Sequence, residues 1–246
     1  MPFTFSHPAA AIPLKALIKR LSLPALIFGS IAPDFEYFFR MKSKYSHTLG
    51  GMLWFDLPLT LALLFLFYTV IREPFINALP LPLRARFADI LAFDLQTAFR
   101  KDWFIIYISA ILGSFTHILW DGFTHANGYF VERLPLLNLP VTDGFPIYRL
   151  FQYFSTLLGF AVISVFIFKL PEKECSEKAT FSYWILSGLI MLPLFLLFNF
   201  YIWKGFNSFW HYSIIFLSSF FCAITLAAII FKAKKVFSTD MKLPHP

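Results

Sequence analysis

In the segment GSFTHILWDGFTH, His117, Asp121 and His125 stand at positions i, i+4 and i+8. Each step of four residues turns an α-helix by about 40°, so the three side chains stack along one face. Imidazole and carboxylate groups offered from one rigid helix are a donor set that suits zinc, manganese or iron. Groups of the same kinds come earlier in the chain: His7 in FSHP, Asp34 and Glu36 in APDFEYF, His47 in YSHT and Asp56 in WFDLP. A cation would offset the cost of burying Asp34 and Asp121 as anions, which is far higher for an unpaired charge. Asp34, His47 and His7 are therefore expected to complete a divalent-metal shell begun by His117 and Asp121. His125 is a further member, and Glu36 or Asp56 is a carboxylate placed to accept a proton. A plainer reading stands beside this one, in which the same side chains are only hydrogen-bonded between helices. His211, in an aromatic context, and His245, in the LPHP tail, are read as incidental.

Composition decides what must carry these residues. Hydrophobic residues make up 58% of the 246, aromatic residues 20% and charged residues 14%. A soluble domain carries about 25% charged residues, so this chain cannot cover a water-facing surface of its own size. Disordered, collagen-like and disulfide-rich secreted classes are excluded by the same figures. Cys175 lies in a charged loop and Cys222 deep in an apolar run, so no disulfide is expected. The net charge of +7 is scattered over loops and tail without a basic stripe, which argues against a nucleic-acid partner. Lys15, Lys19 and Arg20 interrupt the first apolar stretch, a pattern unlike a signal peptide.

The expected architecture is an all-α, polytopic integral membrane bundle. Five spans are read near 50–71, 103–125, 150–170, 183–203 and 209–231, each ~30 Å long at ~1.5 Å per residue. Trp54, Trp103, Tyr107, Tyr183, Trp184, Tyr201, Trp203 and Trp210 sit near their ends, at interfacial depth. Residues 1–49 read as a re-entrant or interfacial helical hairpin that contributes site residues, with Ser22–Phe39 as an alternative sixth span. Residues 232–246 form a basic tail. Between the first two spans, Leu83, Phe87, Ile90, Leu91, Leu95 and Ala98 recur at helical spacing, with Arg84, Arg86, Asp89, Asp94 and Arg100 on the other faces. That pattern suits a helix lying on the membrane surface.

With five spans, 12 Lys and Arg fall on the side of the tail and 9 on the side of the N-terminus. The positive-inside rule then puts the tail in the cytoplasm and the 126–149 loop outside. Counting Ser22–Phe39 as a span changes the split to 15 against 6 and leaves that loop outside. Connectivity alone brings the polar groups to one level, because the first span enters from the side where the second exits. His47, Asp56, His117, Asp121 and His125 share that level, with Gln152, Ser155 and His211 near it.

At MPFTFSHPAA, GSIAPDFEYF, YSHT and GSFTHILWDGFTH the chain resembles an uncharacterised bacterial membrane family, domain of unknown function 4184, over roughly its first 160 residues. More distantly it looks like membrane-bound metal-dependent hydrolases related to a LexA-regulated inner-membrane protein. It also resembles the zinc-dependent phospholipase C and S1-type nuclease group, whose ligands include a helical His-x-x-x-Asp. That similarity implies metal-ligand roles for His7, Asp34, His47, His117 and Asp121, with His125 as a weaker sixth. The phospholipases also use an N-terminal Trp and a downstream His-x-x-x-Glu. This chain begins Met-Pro and has no such motif after His125, so the resemblance reaches one or two ions and not three. There is no H-E-x-x-H, G-x-S-x-G or Walker-type glycine loop, and no inverted repeat of interrupted helices. The expected function is a zinc-dependent hydrolase of the bacterial cytoplasmic membrane, acting on an ester or phosphodiester. The depth of the polar groups suggests a lipid or lipid-linked substrate. The alternative is a non-catalytic membrane protein that binds an ion for stability, sensing or transport.

Overall fold

A computed structural model of the chain describes residues 3–142, 144–175, 179–202 and 209–240. Trp203, the 204–208 turn, His245 and the last six residues of the tail lie outside the described residues, as do the side chains of Tyr201 and Trp210. The described chain is helical nearly throughout. Its extended backbone is one small antiparallel hairpin, β1 (Pro140–Thr142) with β2 (Phe145–Pro146). Three short helices open the chain: α1 (Pro8–Leu17), α2 (Leu23–Ile31) and α3 (Phe35–Arg40). They are followed by α4 (Met52–Asn77), α5 (Leu81–Ala92), α6 (Leu95–Thr124), α7 (Tyr129–Arg133), α8 (Ile147–Lys169), α9 (Ser182–Phe200) and α10 (Phe209–Asp240). Five of these, α4, α6, α8, α9 and α10, are long and apolar enough to cross a membrane. Leu157, Phe168 and Leu189 are each more than 60% exposed, an outer surface suited to hydrocarbon and not to water.

Among the described residues, no helix of the N-terminal region is long and apolar enough to cross a membrane. At nine residues α2 is about 14 Å long, less than half of what a crossing needs. Pro33 cannot donate to the helical ladder, and the chain passes through a 3₁₀ turn, Ala32–Asp34, before α3 begins. The helix between the first two spans is also shorter than its periodicity suggests. It ends at Ala92 because Phe93 is extended (φ −68°, ψ 124°), so Leu95 and Ala98 belong to α6 instead. A second break, at Asp102 (φ −131°, ψ 30°), kinks α6 just before its apolar part starts at Trp103. The basic stretch after the last span continues as helix to Asp240.

The chain divides into two compact units. The first comprises Met1–Glu36, Lys42–Leu64 and Gln96–Lys169. Its apolar centre is Ala11, Leu21 and Leu26, packed with Leu14, Ile108 and Leu112 from α1 and α6. Here α2 and α6 touch backbone to backbone. A Cβ on Gly29 would lie 2.3 Å from the Ala110 carbonyl oxygen, and one on Gly113 would lie 2.4 Å from that of Leu26. Two hydrogen bonds lock the pair, Ser22 N–H to Ser109 Oγ at 2.8 Å and Ser114 Oγ to the Gly29 carbonyl at 3.1 Å. This contact fixes the height of Asp34, just past α2, against α6.

The second unit comprises Tyr37–Met41, Phe65–Leu95 and Leu170–Pro246. Its core gathers Ile71, Ala78, Tyr183, Ile224, Ala227 and Ala228. Tyr183 is fully buried and its hydroxyl donates to the Ile224 carbonyl at 2.8 Å, while Trp184 Nε1 donates to the Ala78 carbonyl at 2.7 Å. Removing the Tyr183 hydroxyl leaves a buried carbonyl without that partner. Tyr183→Phe is expected to cost about 1 kcal/mol, read as a lower midpoint of thermal unfolding in detergent. Cys175 and Cys222 are both free thiols.

Candidate metal centre

All six sequence-predicted ligands, and both predicted proton acceptors, lie in the first unit. Asp34, His47, His117 and Asp121 each offer one ligand atom, and those four atoms lie within 4.8 Å of one another. Asp34 and His117 are fully buried and Asp121 is 6% exposed. The His47 side chain is 23% exposed and forms the open edge of the group.

Four separations within this group are close to those of ligands around a shared cation. His117 Nε2 lies 3.3 Å from Asp121 Oδ2 and 3.6 Å from Asp34 Oδ1. His47 Nε2 lies 3.4 Å and 3.8 Å from the same two oxygens. Hydrogen bonds from N–H to oxygen run at about 2.7–3.2 Å. Donors ~2.0–2.2 Å from a tetrahedral ion stand roughly 3.3–3.6 Å from each other. His117 Nε2 and Asp34 Oδ1 are buried and have no hydrogen-bond partner among the described residues. Orphaned polar atoms of this kind are costly unless something not made of protein satisfies them.

The surrounding hydrogen bonds orient each ligand. His117 Nδ1 lies 2.7 Å from the Ser30 carbonyl, an acceptor only, so Nδ1 carries the proton and Nε2 turns its lone pair inward. His47 Nδ1 lies 2.8 Å from Ser43 Oγ and 2.9 Å from Ser46 Oγ, which leaves Nε2 facing the carboxylates. The Thr4 hydroxyl donates to Asp34 Oδ2 at 2.6 Å and keeps Oδ1 for the centre. Thr4, Ser30, Ser43 and Ser46 are the functional neighbours that sequence reasoning does not identify.

Asp121 serves both sides of the cluster. Its Oδ2 faces His47 and His117, while Oδ1 lies 3.6 Å from His7 Nε2 and 3.4 Å from His125 Nδ1. The His7 ring stacks on that of His117 with centroids 3.7 Å apart. Burial first, and the neighbouring His117 next, push the pKa of His7 well below the usual histidine range, so its ring is neutral and able to donate a lone pair. His125, one residue past α6, also lies 3.2 Å from the Asp121 carbonyl through Nδ1.

The two remaining carboxylates differ. Glu36 is fully buried, and its Oε2 accepts from the backbone N–H groups of Lys44 (3.0 Å), Tyr45 (2.9 Å) and Ser46 (2.9 Å). Burial alone would raise its pKa, but these bonds hold it down to about 2, so Glu36 is an anion that ties down the loop carrying His47. Glu36→Gln leaves the three N–H groups with a weaker acceptor. We expect a 10–100-fold loss of metal affinity, the range found when groups that orient ligands are altered. A metal titration with competing chelator measures it. Asp56 sits in a π-helical turn, Met52–Asp56, beside the Ala32–Asp34 turn. It is fully buried, and neither of its oxygens has a hydrogen-bond partner among the described residues. Gln152 and Ser155 lie on α8 in the same unit, with the Ser155 hydroxyl donating back to the Gln152 carbonyl at 3.1 Å; His211 belongs to the second unit.

Comparison with curated proteins and with solved structures returns no match. Resemblance to hydrolases therefore rests on the motifs alone. The family comparison reaches further along the chain than the motif-bearing first 160 residues and takes in all five spans in whole or in large part. Over residues 1–231 the sequence matches the domain of unknown function DUF4184, and the chain belongs to that family.

Proposed function

We propose that this protein is a metal-dependent hydrolase of the bacterial cytoplasmic membrane, acting on an ester or phosphodiester of a lipid or lipid-linked substrate. The observation that carries the reading is the convergence of Asp34, His47, His117 and Asp121 with unsatisfied buried donor atoms aimed at one point. Two imidazoles and two carboxylates are a donor set suited to zinc, with manganese or iron as the competing ions. A divalent cation held there supplies Lewis acidity towards a substrate oxygen and lowers the pKa of water. The chain's own residues do the rest. Asp34 and Asp121 neutralise the cation's charge, and His7 and His125 bracket the second oxygen of Asp121. Glu36 holds the His47 loop. Asp56, with two unengaged oxygens, is the carboxylate suited to receive a proton.

Partial exposure of His47 favours the enzyme over a purely structural ion site. A structural site is closed by protein ligands, whereas catalysis needs an accessible edge. The test is turnover of p-nitrophenyl ester and bis-p-nitrophenyl phosphate probes, and of a fluorescent phospholipid, by purified protein in mixed micelles. We expect turnover that chelator abolishes and zinc or manganese restores. An ion-loaded protein that turns over none of these probes would favour the non-catalytic alternative.

A further inference from the structure

Beside the metal centre, within the same unit, α1, α6 and α8 enclose a groove of about 610 Å³, a volume in the range of small-molecule sites. Its walls are helix faces. Thr116, Leu119, Trp120 and Phe123 recur at i, i+3, i+4 and i+7 on α6, and Phe151, Phe154, Ser155 and Leu158 repeat that spacing on α8. Two apolar faces at this periodicity ordinarily close against each other. Here Leu119, Phe151, Phe154 and Leu158 remain 41%, 44%, 62% and 45% exposed. The neighbouring face of α8 is committed elsewhere. A Cβ on Gly159 would lie 2.8 Å from Ser6, and Thr156 Oγ1 accepts from the Phe3 N–H at 3.2 Å.

The hydroxyls of the groove ask nothing of an occupant. The hydroxyls of Thr116, Thr124 and Ser155 donate within their own helices, to the carbonyls of Gly113 (2.7 Å), Trp120 (3.3 Å) and Gln152 (3.1 Å). A ligand here need not bond to these hydroxyls, and it lies between α6 and α8, two helices long and apolar enough to cross a membrane. The position along α6 is equally specific. Thr116, Trp120 and Thr124 each adjoin a member of the metal cluster, His117, Asp121 and His125, and are turned from it by about 100°. On α1, Ala10 and Pro13 line the groove within two turns of His7. Groove and centre therefore share two helices at one height.

We propose that this groove is the seat of a hydrocarbon chain of the lipid substrate, so that the chain's polar end is delivered to the Asp121 centre. The inference builds on the hydrolase reading, and its test does not depend on turnover. The protein is reconstituted in phosphatidylglycerol vesicles containing traces of phosphatidylglycerol with a photoactivatable diazirine, either at the end of an acyl chain or on the headgroup. Adducts are mapped by mass spectrometry, and metal content is measured on the same samples.

The tail probe is expected to label Leu119, Phe123, Phe154 and Leu158 about tenfold more than the outward-facing Leu157 and Val165, the enrichment given by ~1.4 kcal/mol of preferential binding. The headgroup probe is expected to label the stretches around His47 and His125. Groove-filling Ala10→Trp and Leu158→Trp should remove the excess while ion content stays at the wild-type level. Equal labelling of groove and outer residues would mean ordinary surrounding lipid and would overturn the proposal. Chain-to-chain cross-links through Phe154 and Leu158 would assign the groove to a second copy and overturn it too. Enriched labelling in a protein that holds no ion would leave the groove standing and remove the metal centre, so the two failures are separable.

Discussion

Asp121→Ala protein, purified without chelators, is expected to carry no divalent ion, with affinity reduced by more than about 100-fold. The estimate is a lower bound, because altering groups that merely orient ligands already costs 10–100-fold. Both oxygens of Asp121 face imidazoles, His47 and His117 from Oδ2, His7 and His125 from Oδ1. Without it, four imidazoles converge on a space with Asp34 as the remaining carboxylate of the group. Elemental analysis reads the loss, and an unchanged helical circular-dichroism spectrum confirms that the bundle still folds. Tyr183→Phe is the matched control, since it weakens the second unit and leaves the ligands untouched. Wild-type ion content in Asp121→Ala would show that the cation, if held, is held elsewhere.

Gly113→Leu is expected to have the second largest effect, though it touches no ligand. Its Cβ would lie 2.4 Å from the Leu26 carbonyl oxygen and 2.9 Å from the Ser30 nitrogen. Ordinary contact needs about 3.5 Å, so α2 and α6 must separate by roughly 1 Å. That opens the 2.7 Å bond from His117 Nδ1 to the Ser30 carbonyl and carries Asp34 away from His117 Nε2. Overpacking of this kind costs about 1–3 kcal/mol, and the branched side chain places the outcome at the upper end. Gly29→Ala meets the same obstruction from the other helix, at 2.3 Å from the Ala110 carbonyl. Gly50→Ala and Gly188→Ala meet nothing within 4 Å and serve as neutral comparisons. Thermal unfolding and ion content are expected to fall together in Gly113→Leu. A variant that keeps both would mean that the close contact does not position the centre.

What could be read from the chain beforehand, and what could not, follows physical lines. The His117, Asp121 and His125 stripe is legible because helical periodicity is a local property, and the five spans because uncharged length is one too. The meeting of Asp34 and His47 with that stripe follows from connectivity, since both precede the first span, which begins on the side where the second ends. The supporting bonds are another matter. Ser30 contributes a backbone carbonyl, which every residue possesses, and Thr4 reaches Asp34 from 30 positions away. Neither leaves a mark in composition or spacing. Glu36 shows what residue type alone leaves out: a carboxylate beside a metal motif suggests proton transfer, and nothing in spacing announces that its Oε2 accepts from three backbone N–H groups. The helix before α6 ends early for a comparable reason, because the extended backbone at Phe93 interrupts a periodicity that side chains alone continue.

The central claim is that Asp34, His47, His117 and Asp121 together hold a cation. Elemental analysis of the detergent-purified protein, prepared without chelators and then equilibrated with zinc or manganese, tests it most directly. At least one divalent ion per chain is expected, lost on dialysis against chelator and absent from His117→Ala and Asp121→Ala proteins. A folded wild-type protein that retains no stoichiometric ion under those conditions would contradict it.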